Sequence, residues 1–172
     1  MTEILWLGRG GQGAFTSAKL LGAAYTLKGD GNFALAFPSF GPERRGAPVR
    51  AFTKLDSKPV LDRSETEKAD YIVVLDETLY NDGLKKHLKD GGKILVNSKV
   101  ISGESILPFD ADSIAKELRL PVVNTIMTGA LSAVSGIVDM ENIAAAIENY
   151  MPKKLHEKNI SAVRKAVSEV EK

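Results

Sequence analysis

The sequence predicts an α/β fold: one domain over residues 1–172 with a three-layer, doubly wound, mostly parallel sheet and a helical C-terminal tail. Three observations predict it. Short aliphatic runs alternate with helical stretches, a glycine-rich turn joins the first run to the first helix, and the pattern is wholly helical from Met140 onward. A length of 172 residues fits one hydrophobic core.

The individual elements follow from apolar spacing and turn residues. Strands are predicted over residues 4–7, 33–37, 49–55, 71–75, 93–96 and 121–123, and the third of these alternates in a way typical of a strand with one exposed face. A polar helical stretch is predicted between the fourth and fifth runs, as a β-α-β unit requires. Further helices are predicted over 110–118 and 125–136, with Asp139 capping the next helix and Leu155 to Val167 marking the apolar face of the last.

Composition excludes several classes of function. With 23 Lys and Arg against 22 Asp and Glu, the net charge is +1, so no overall field favours nucleic acid or an acidic membrane as a partner. The chain contains no cysteine, which excludes disulfides, thiolate nucleophiles and a cysteine-ligated iron–sulfur cluster. No apolar stretch approaches the ~20 residues that span a bilayer, and no leader pattern is present, so a cytoplasmic location is expected.

The first motif is a glycine loop. Gly8, Gly10 and Gly13 satisfy G-x-G-x-x-G directly after a strand and at the start of a helix, which is typical of a Rossmann-like phosphate-binding turn. Gly11 lies within the loop, and Arg9 and Gln12 add a charge and an amide that tight packing alone does not require. Candidate cofactor-binding residues are therefore Gly8, Arg9, Gly10, Gly11, Gln12 and Gly13.

Two other interpretations of the glycine loop stay open. A nicotinamide dinucleotide enzyme places an acidic residue at the end of its second strand, but here that strand ends in Phe37 and Pro38. A stand-alone NAD(P)- or nucleotide-binding protein is therefore the alternative rather than the first hypothesis. The glycines are also compatible with a tight strand-to-helix turn that binds no ligand.

The second motif is a loop rich in proline and arginine, from Pro38 to Pro48. Its prolines restrict the backbone and so reduce the entropy lost when the loop recognises a ligand. Arg44 and Arg45 offer two planar guanidinium groups that suit a carboxylate or a phosphate. An exposed turn with an Arg–Glu pair is the plainer alternative.

These motifs together resemble a known family. The segments GRGGQG (8–13) and FPSFGPERRGAP (37–48) are similar to the γ subunit of 2-oxoacid:ferredoxin oxidoreductases, especially the pyruvate enzymes. The similarity continues through ADYIVVLD (69–76), ILVNS (94–98) and PVVNT (121–125), which is followed by Gly129 and Ala130. Nearly the whole chain is covered.

The resemblance implies a multi-subunit enzyme that oxidatively decarboxylates a 2-oxoacid to acyl-coenzyme A and reduces ferredoxin. It implies thiamine diphosphate, iron–sulfur clusters and coenzyme A in the complex, with the thiamine and cluster sites on other subunits. This chain is expected to bind no cofactor alone, to hold no catalytic or metal-ligating residue, and to have the other subunits as its partners. The absence of cysteine agrees with that division of roles.

The topology suggests where a site would lie. In open parallel sheets, ligands collect beyond the carboxyl ends of the strands. The glycine loop, the proline–arginine loop, Asp76–Glu77, Asn97–Ser98 and Asn124–Thr125 are all expected there. We expect this edge to face the catalytic subunits, with Arg9, Arg44, Arg45, Asn124 and Thr125 contacting either coenzyme A or a partner.

Other polar residues carry weaker signals. His87 and His156 lie in charged stretches and are predicted to be surface residues. Asp62–Arg63 with Glu65–Glu67 is predicted to be a solvated charged turn, and Lys153, Lys154 and Lys158 a solvating basic face. Thr125 is more typical of a helix N-cap than of a nucleophile.

Overall fold

The structure is a computed structural model that describes residues 1–39 and 45–172. Its strands are β1 (Thr2–Arg9), β2 (Phe33–Pro38), β3 (Pro48–Asp56), β4 (Ala69–Val74), β5 (Leu88–Asn97) and β6 (Ile106–Phe109). Its α-helices are α1 (Ala14–Thr26), α2 (Ala111–Leu118), α3 (Asn124–Ser135), α4 (Met140–Tyr150) and α5 (His156–Val170).

The strands form one six-stranded sheet in the order β2-β3-β1-β4-β5-β6. The pairs β1–β4, β4–β5 and β5–β6 are parallel, whereas β3 runs antiparallel to both of its neighbours. β3 therefore opposes every other strand of the sheet. The predicted α/β class with a mostly parallel sheet and a helical C-terminal segment is confirmed, but the α-helices cover one face of the sheet instead of the two faces of the predicted three-layer, doubly wound arrangement.

The α-helices pack on one face of the sheet and enclose the larger core. Trp6 of β1, Leu21 of α1 and Ile126 of α3 are fully buried in this cluster. The indole N–H of Trp6 donates to the hydroxyl of Thr53 at 3.0 Å, and that hydroxyl donates to the carbonyl of Ala18 at 3.0 Å. The polar atoms beneath α1 are thus paired, and the helix is fixed over the centre of the sheet.

The second face is covered by short 3-10 helices and loops. The predicted polar helical stretch between β4 and β5 consists of two 3-10 helices, Glu77–Leu79 and Asp82–His87, instead of an α-helix, and the second leads directly into β5. The turn-forming run Asn81–Asp82–Gly83 interrupts any longer helix. Leu79 and Leu84 from these short helices cover the smaller core cluster.

A connecting segment, residues 57–68, explains why the predicted exposed face of β3 is largely buried. Lys54 is only 1% exposed, and its Nζ lies 2.7 Å from Asp62 Oδ2 and 3.6 Å from Glu3 Oε1. Glu65 accepts a hydrogen bond from Arg50 at 2.7 Å. The prediction of an exposed β3 face is therefore wrong at Phe52 and Lys54, which are buried, and holds at Arg50. The charged residues of the predicted turn are exposed, but its acidic side chains also neutralise cations on the strand.

Two predictions near α3 are also wrong. Residues 121–123 form no strand, and β6 lies next to β5 at the edge of the sheet instead. The N-cap of α3 is Val123, so Thr125 lies one residue inside the helix. The prediction for the following helix is confirmed, since the Asp139 carboxylate accepts the N–H of Asn142 at 2.9 Å.

Gly129 allows α3 and α5 to approach closely. A Cβ at this position would lie 3.1 Å from both Cα and the carbonyl oxygen of Val163, and 3.2 Å from the Cβ of Ala166. Backbone atoms cannot move away as a flexible side chain can. The absence of a side chain at Gly129 is therefore a packing requirement of the C-terminal helices.

Gly129→Val is expected to destabilise the fold by about 1–3 kcal/mol, because the added atoms overpack the α3–α5 contact. Urea unfolding of the purified chain measures the effect. Ser161→Val, on the exposed side of α5, is the matched control and should cost under about 1 kcal/mol, since Ser and Val differ little in helix propensity. Equal stability of the two variants would contradict the packing role.

Candidate functional site

The glycine turn connects the central strand to α1 through two left-handed residues. Gly11 has φ +91° and Gly13 has φ +82°, a region that favours glycine. Gly13 is also the N-cap of α1, and a Cβ there would lie 2.5 Å from Nδ2 of Asn124. Asn124 is thus placed directly against the turn, although it is distant in sequence.

The first turn of α1 presents backbone donors at the mouth of this turn. Among the described residues, nothing accepts a hydrogen bond from the N–H groups of Gly13, Ala14 or Phe15. No hydrogen bond joins the side-chain amide of Asn124 to a described residue, and the residue is 6% exposed, so the amide keeps some access to solvent. Helix N–H groups and a free amide form a donor set suited to an anion.

Arg9 folds back onto the protein and ties neighbouring segments together. Its Nη1 donates to the carbonyl of Gly46 at 3.0 Å and its Nη2 to the hydroxyl of Thr78 at 2.8 Å. Its Nε lies 3.4 Å from Oδ2 of Asp76. The guanidinium therefore joins the end of β1, the end of β4 and the loop before β3.

Asp76 is the centre of this cluster. Its carboxylate accepts the N–H of Thr78 at 3.0 Å, the Thr78 hydroxyl at 2.6 Å and the Gln12 amide at 3.1 Å. Partial burial raises the pKa of Asp76, but the hydrogen bonds from Thr78 and Gln12 and the charge of Arg9 together lower it below its ordinary value. The carboxylate is therefore ionised at neutral pH and able to hold Arg9. We call Arg9, Gln12, Asp76, Thr78 and Gly46 the edge clamp.

Gln12 also fixes the shape of the glycine turn. Its Oε1 accepts the backbone N–H of Arg9 at 2.7 Å, while its Nε2 donates to Asp76. The backbone N–H of Gln12 donates to the carbonyl of Arg9 at 3.0 Å. Both Arg9 and Gln12 therefore contribute to the internal order of the edge instead of extending into open solvent.

The stem of the proline–arginine loop is attached to the same edge. The N–H of Gly10 donates to the carbonyl of Ala47 at 2.9 Å, beside the Arg9–Gly46 contact. Arg45 is exposed and immediately precedes Gly46, so the clamp places it next to the glycine turn. Arg44, the other predicted arginine, lies outside the described residues.

The polar edge continues from β4 to β5 and α2. Asn97 donates to the carbonyl of Leu75 at 3.1 Å and to Asp112 at 3.0 Å, and it accepts the N–H of Ala111 at 3.0 Å. Ser98 donates to Glu77 at 2.6 Å. The strand ends are thus linked by side chains across the sheet.

The structure brings together some of the sequence-predicted residues and separates another. The glycine turn, Arg9, Gln12, Arg45 and Asn124 share one edge, whereas the hydroxyl of Thr125 donates to Asn159 of α5 at 2.7 Å within the core. Sequence reasoning missed the role of Thr78. Its signal was the Asp76–x–Thr78 spacing, which is typical of an Asx turn after a strand.

The described residues contain no group of three or more His, Cys, Asp and Glu side chains placed to hold a metal ion. In the same part of the chain, no helix is long and apolar enough to cross a membrane. His87 is exposed, while the Nε2 of the half-buried His156 lies 2.7 Å from the carbonyl of Met151.

The fold and the edge define a class of protein. It is a mostly parallel α/β protein with its α-helices on one face and a glycine turn, a carboxylate-centred clamp and free backbone donors at the carboxyl ends of its strands. In such sheets this edge is where ligands bind.

Comparison with known proteins defines the family. The family model of pyruvate ferredoxin/flavodoxin oxidoreductase matches residues 3–169, and the chain belongs to this family. It is 44% identical to pyruvate synthase subunit PorC of Methanothermobacter thermautotrophicus, over 100% of this chain and 97% of that protein. It is 40% identical to the common γ subunit of the pyruvate/ketoisovalerate oxidoreductases of Pyrococcus furiosus, over 99% of this chain and 98% of that subunit.

A solved structure agrees with the sequence matches. The crystal structure of pyruvate oxidoreductase subunit PORC from Thermotoga maritima superposes with a TM-score of 0.81 at 35% identity, over 97% of this chain and 95% of that one. The resemblance derived from the glycine loop and the proline–arginine loop is therefore confirmed.

A double-mutant cycle tests the edge clamp. Arg9→Ala, Asp76→Asn and the double variant are expected to give a coupling free energy of about 0.5–1 kcal/mol in urea unfolding, because the two side chains are partly exposed and in contact. Asp82→Asn is the matched control, since Asp82 pairs with Lys85 instead of Arg9. A coupling free energy between Arg9 and Asp76 that is no larger than the one between Arg9 and Asp82 would contradict the clamp.

The lowered pKa of Asp76 gives the clamp a defined pH dependence. A carboxyl whose pKa is lowered on folding stabilises the native state above its unfolded pKa, near 3.8, and loses that contribution as the pH falls through the folded value. The difference in unfolding free energy between wild type and Asp76→Asn should stay constant from about pH 7 to 5 and shrink below about pH 4. A difference that is the same at pH 3 and pH 7 would exclude an ionised Asp76 as its source.

Proposed function

We propose that this chain is the γ subunit of a multi-subunit 2-oxoacid:ferredoxin oxidoreductase, with pyruvate as the leading substrate, and that its glycine edge helps to bind coenzyme A. Membership of the family and full-length similarity to γ subunits and PorC subunits support the subunit role. The free donors at the N-terminus of α1 support the coenzyme role. They are the observation on which the proposed site depends.

The composition of this chain indicates which cofactors the other subunits would hold. Iron–sulfur clusters belong to the partners in this proposal, because a chain without cysteine supplies no thiolate for a cluster. Thiamine diphosphate is assigned to the partners because the family resemblance implies it. Coenzyme A, when bound, supplies the thiol that receives the acyl group. The residues of this chain bind and orient, and none of them is assigned a bond-breaking role.

The donor set at α1 fits a phosphate group. The N–H groups of Gly13, Ala14 and Phe15 lie at the positive end of the helix dipole, and the Asn124 amide adjoins Gly13. A side chain at Gly13 would both strain the backbone and collide with Asn124. The glycine thus keeps the amide and the backbone donors adjacent, which supports a compact anion subsite.

Arg9 and Arg45 have different roles in this proposal. Arg9 is a positioning residue, because its contacts with Asp76, Thr78 and Gly46 hold the loop stem beside the glycine turn. Arg45 is exposed next to that stem and supplies a charge that can meet a coenzyme phosphate or a partner carboxylate. Arg44 is proposed to act with it.

Asn124→Leu is expected to weaken coenzyme A binding to the assembled complex about 10- to 100-fold, because a hydrogen bond to a charged group is lost next to the phosphate. Calorimetric titration of the complex with coenzyme A measures the Kd. Asn149→Leu, at an exposed position near the end of α4, is the matched control and should leave the Kd unchanged.

The arginines are tested in the same titration with Arg44→Ala and Arg45→Ala. Weaker coenzyme binding by an intact complex supports an anion contact, whereas unchanged affinity with weakened assembly assigns the arginines to the subunit interface. If Asn124→Leu assembles and binds coenzyme A as tightly as the wild type, the proposed subsite at α1 is wrong.

A further inference from the structure

The two edges of the sheet are not equally protected. β6, at one edge, is a four-residue strand that contains Pro108, which lacks a backbone donor. β2, at the other edge, has six residues and carries its only proline at its end. β2 is therefore the edge at which a further strand can pair.

The pairing pattern shows which groups of β2 face outward. The N–H of Ser39 donates to the carbonyl of Arg50 at 2.9 Å, and the register continues Pro38↔Ala51, Phe37↔Phe52 and onward. Hydrogen-bonded and non-hydrogen-bonded pairs alternate in an antiparallel ladder. Phe33, Leu35 and Phe37 therefore bond to β3, while the N–H and C=O groups of Ala34 and Ala36 point away from the sheet.

An open cleft of about 400 Å³ lies beside these outward groups. It is lined by α1, by the helix-facing side of β2 and by the end of α4, including Lys19, Ala23, Ala34, Ala36, Tyr150 and Met151. Tyr150 is 68% exposed despite its large ring. The small side chains of Ala34 and Ala36 leave room for an apolar side chain from an added strand.

Among the described residues, one cation lines the cleft. Lys19 lines it and lies with Nζ 4.6 Å from the centre of the exposed Phe15 ring. Lys153 and Lys154 follow shortly after Met151 and are exposed. None of these three lysines forms an ion pair with a described residue, whereas Lys54 and Lys89 on the opposite face of the sheet do.

We propose that β2 and this cleft bind an extended, acidic segment of another subunit of the oxidoreductase. The segment adds a strand to β2 through Ala34 and Ala36, inserts an apolar side chain between α1 and Tyr150, and places carboxylates near Lys19, Lys153 and Lys154. Alternate residues of a strand face the same side, so apolar side chains enter the cleft at every second position. The inference rests on the proposed subunit role and is independent of coenzyme A.

Amide hydrogen exchange tests the pairing directly. The amides of Ala34 and Ala36 should exchange at least 10-fold more slowly in the assembled complex than in the isolated chain, because only the complex supplies acceptors for them. The amides of Leu35 and Phe37 are internal references, since they bond to β3 in both states. Unchanged exchange at Ala34 and Ala36 in the assembled complex overturns the inference.

Charge reversal tests whether the segment bound at β2 and the cleft is acidic. The triple variant Lys19→Glu, Lys153→Glu and Lys154→Glu should weaken assembly at least 10-fold, measured as the Kd for the remaining subunits. A control triple variant reverses exposed cations outside the cleft, Lys86→Glu, Lys116→Glu and Arg164→Glu, and should leave that Kd unchanged. Equal Kd values for the two variants overturn the proposal that the bound segment is acidic.

The outcomes separate this inference from the subunit role. If the chain fails to assemble with oxidoreductase subunits, the proposed function is wrong and the inference fails with it. If it assembles but the β2 amides stay unprotected, only the inference is wrong. Slower exchange of Ala34 and Ala36 in the isolated chain at higher protein concentration identifies a second copy as the occupant and also overturns it.

Discussion

The carboxylate of Asp76 is the contact on which the functional edge depends. It lies just beyond β4, beside the end of the central strand β1, and it receives hydrogen bonds from Thr78 and Gln12 as well as the charge of Arg9. Arg9 in turn reaches the carbonyl of Gly46. Through Arg9, a single ionised group thus holds together two strand ends and a loop stem that are far apart in sequence.

In the proposed function, this chain contributes to the enzyme by binding and orienting. The clamp uses the side chains of Arg9 and Gln12 to fix the backbone, and among the described residues the N–H groups at the start of α1 and the amide of Asn124 are left as donors. Preorganised backbone donors lose little entropy when an anion binds. In this proposal, recognition comes from a rigid edge of the chain, and the reacting groups are assigned to its partners.

Much of the fold could be predicted from the sequence because aliphatic runs and the glycine loop are local signals. The failures at Lys54 and Thr125 came from contacts between residues that are distant in sequence. The alternating pattern of β3 predicted an exposed Lys54. Residues 57–68 cross that face of the strand, and the Asp62 carboxylate neutralises the charge of Lys54. Asn124 was predicted at the site and adjoins Gly13, whereas Thr125, its neighbour, turns to Asn159 because helix geometry sends adjacent side chains to different faces.

The most direct test of the account is the exchange rate of the Gly13, Ala14 and Phe15 amides in the assembled complex with and without coenzyme A. Since these donors lack an acceptor among the described residues, a bound phosphate should slow their exchange at least 10-fold, while the Gly10 amide, already bonded to Ala47, should change little. Unchanged exchange of all three amides at saturating coenzyme A would contradict the account.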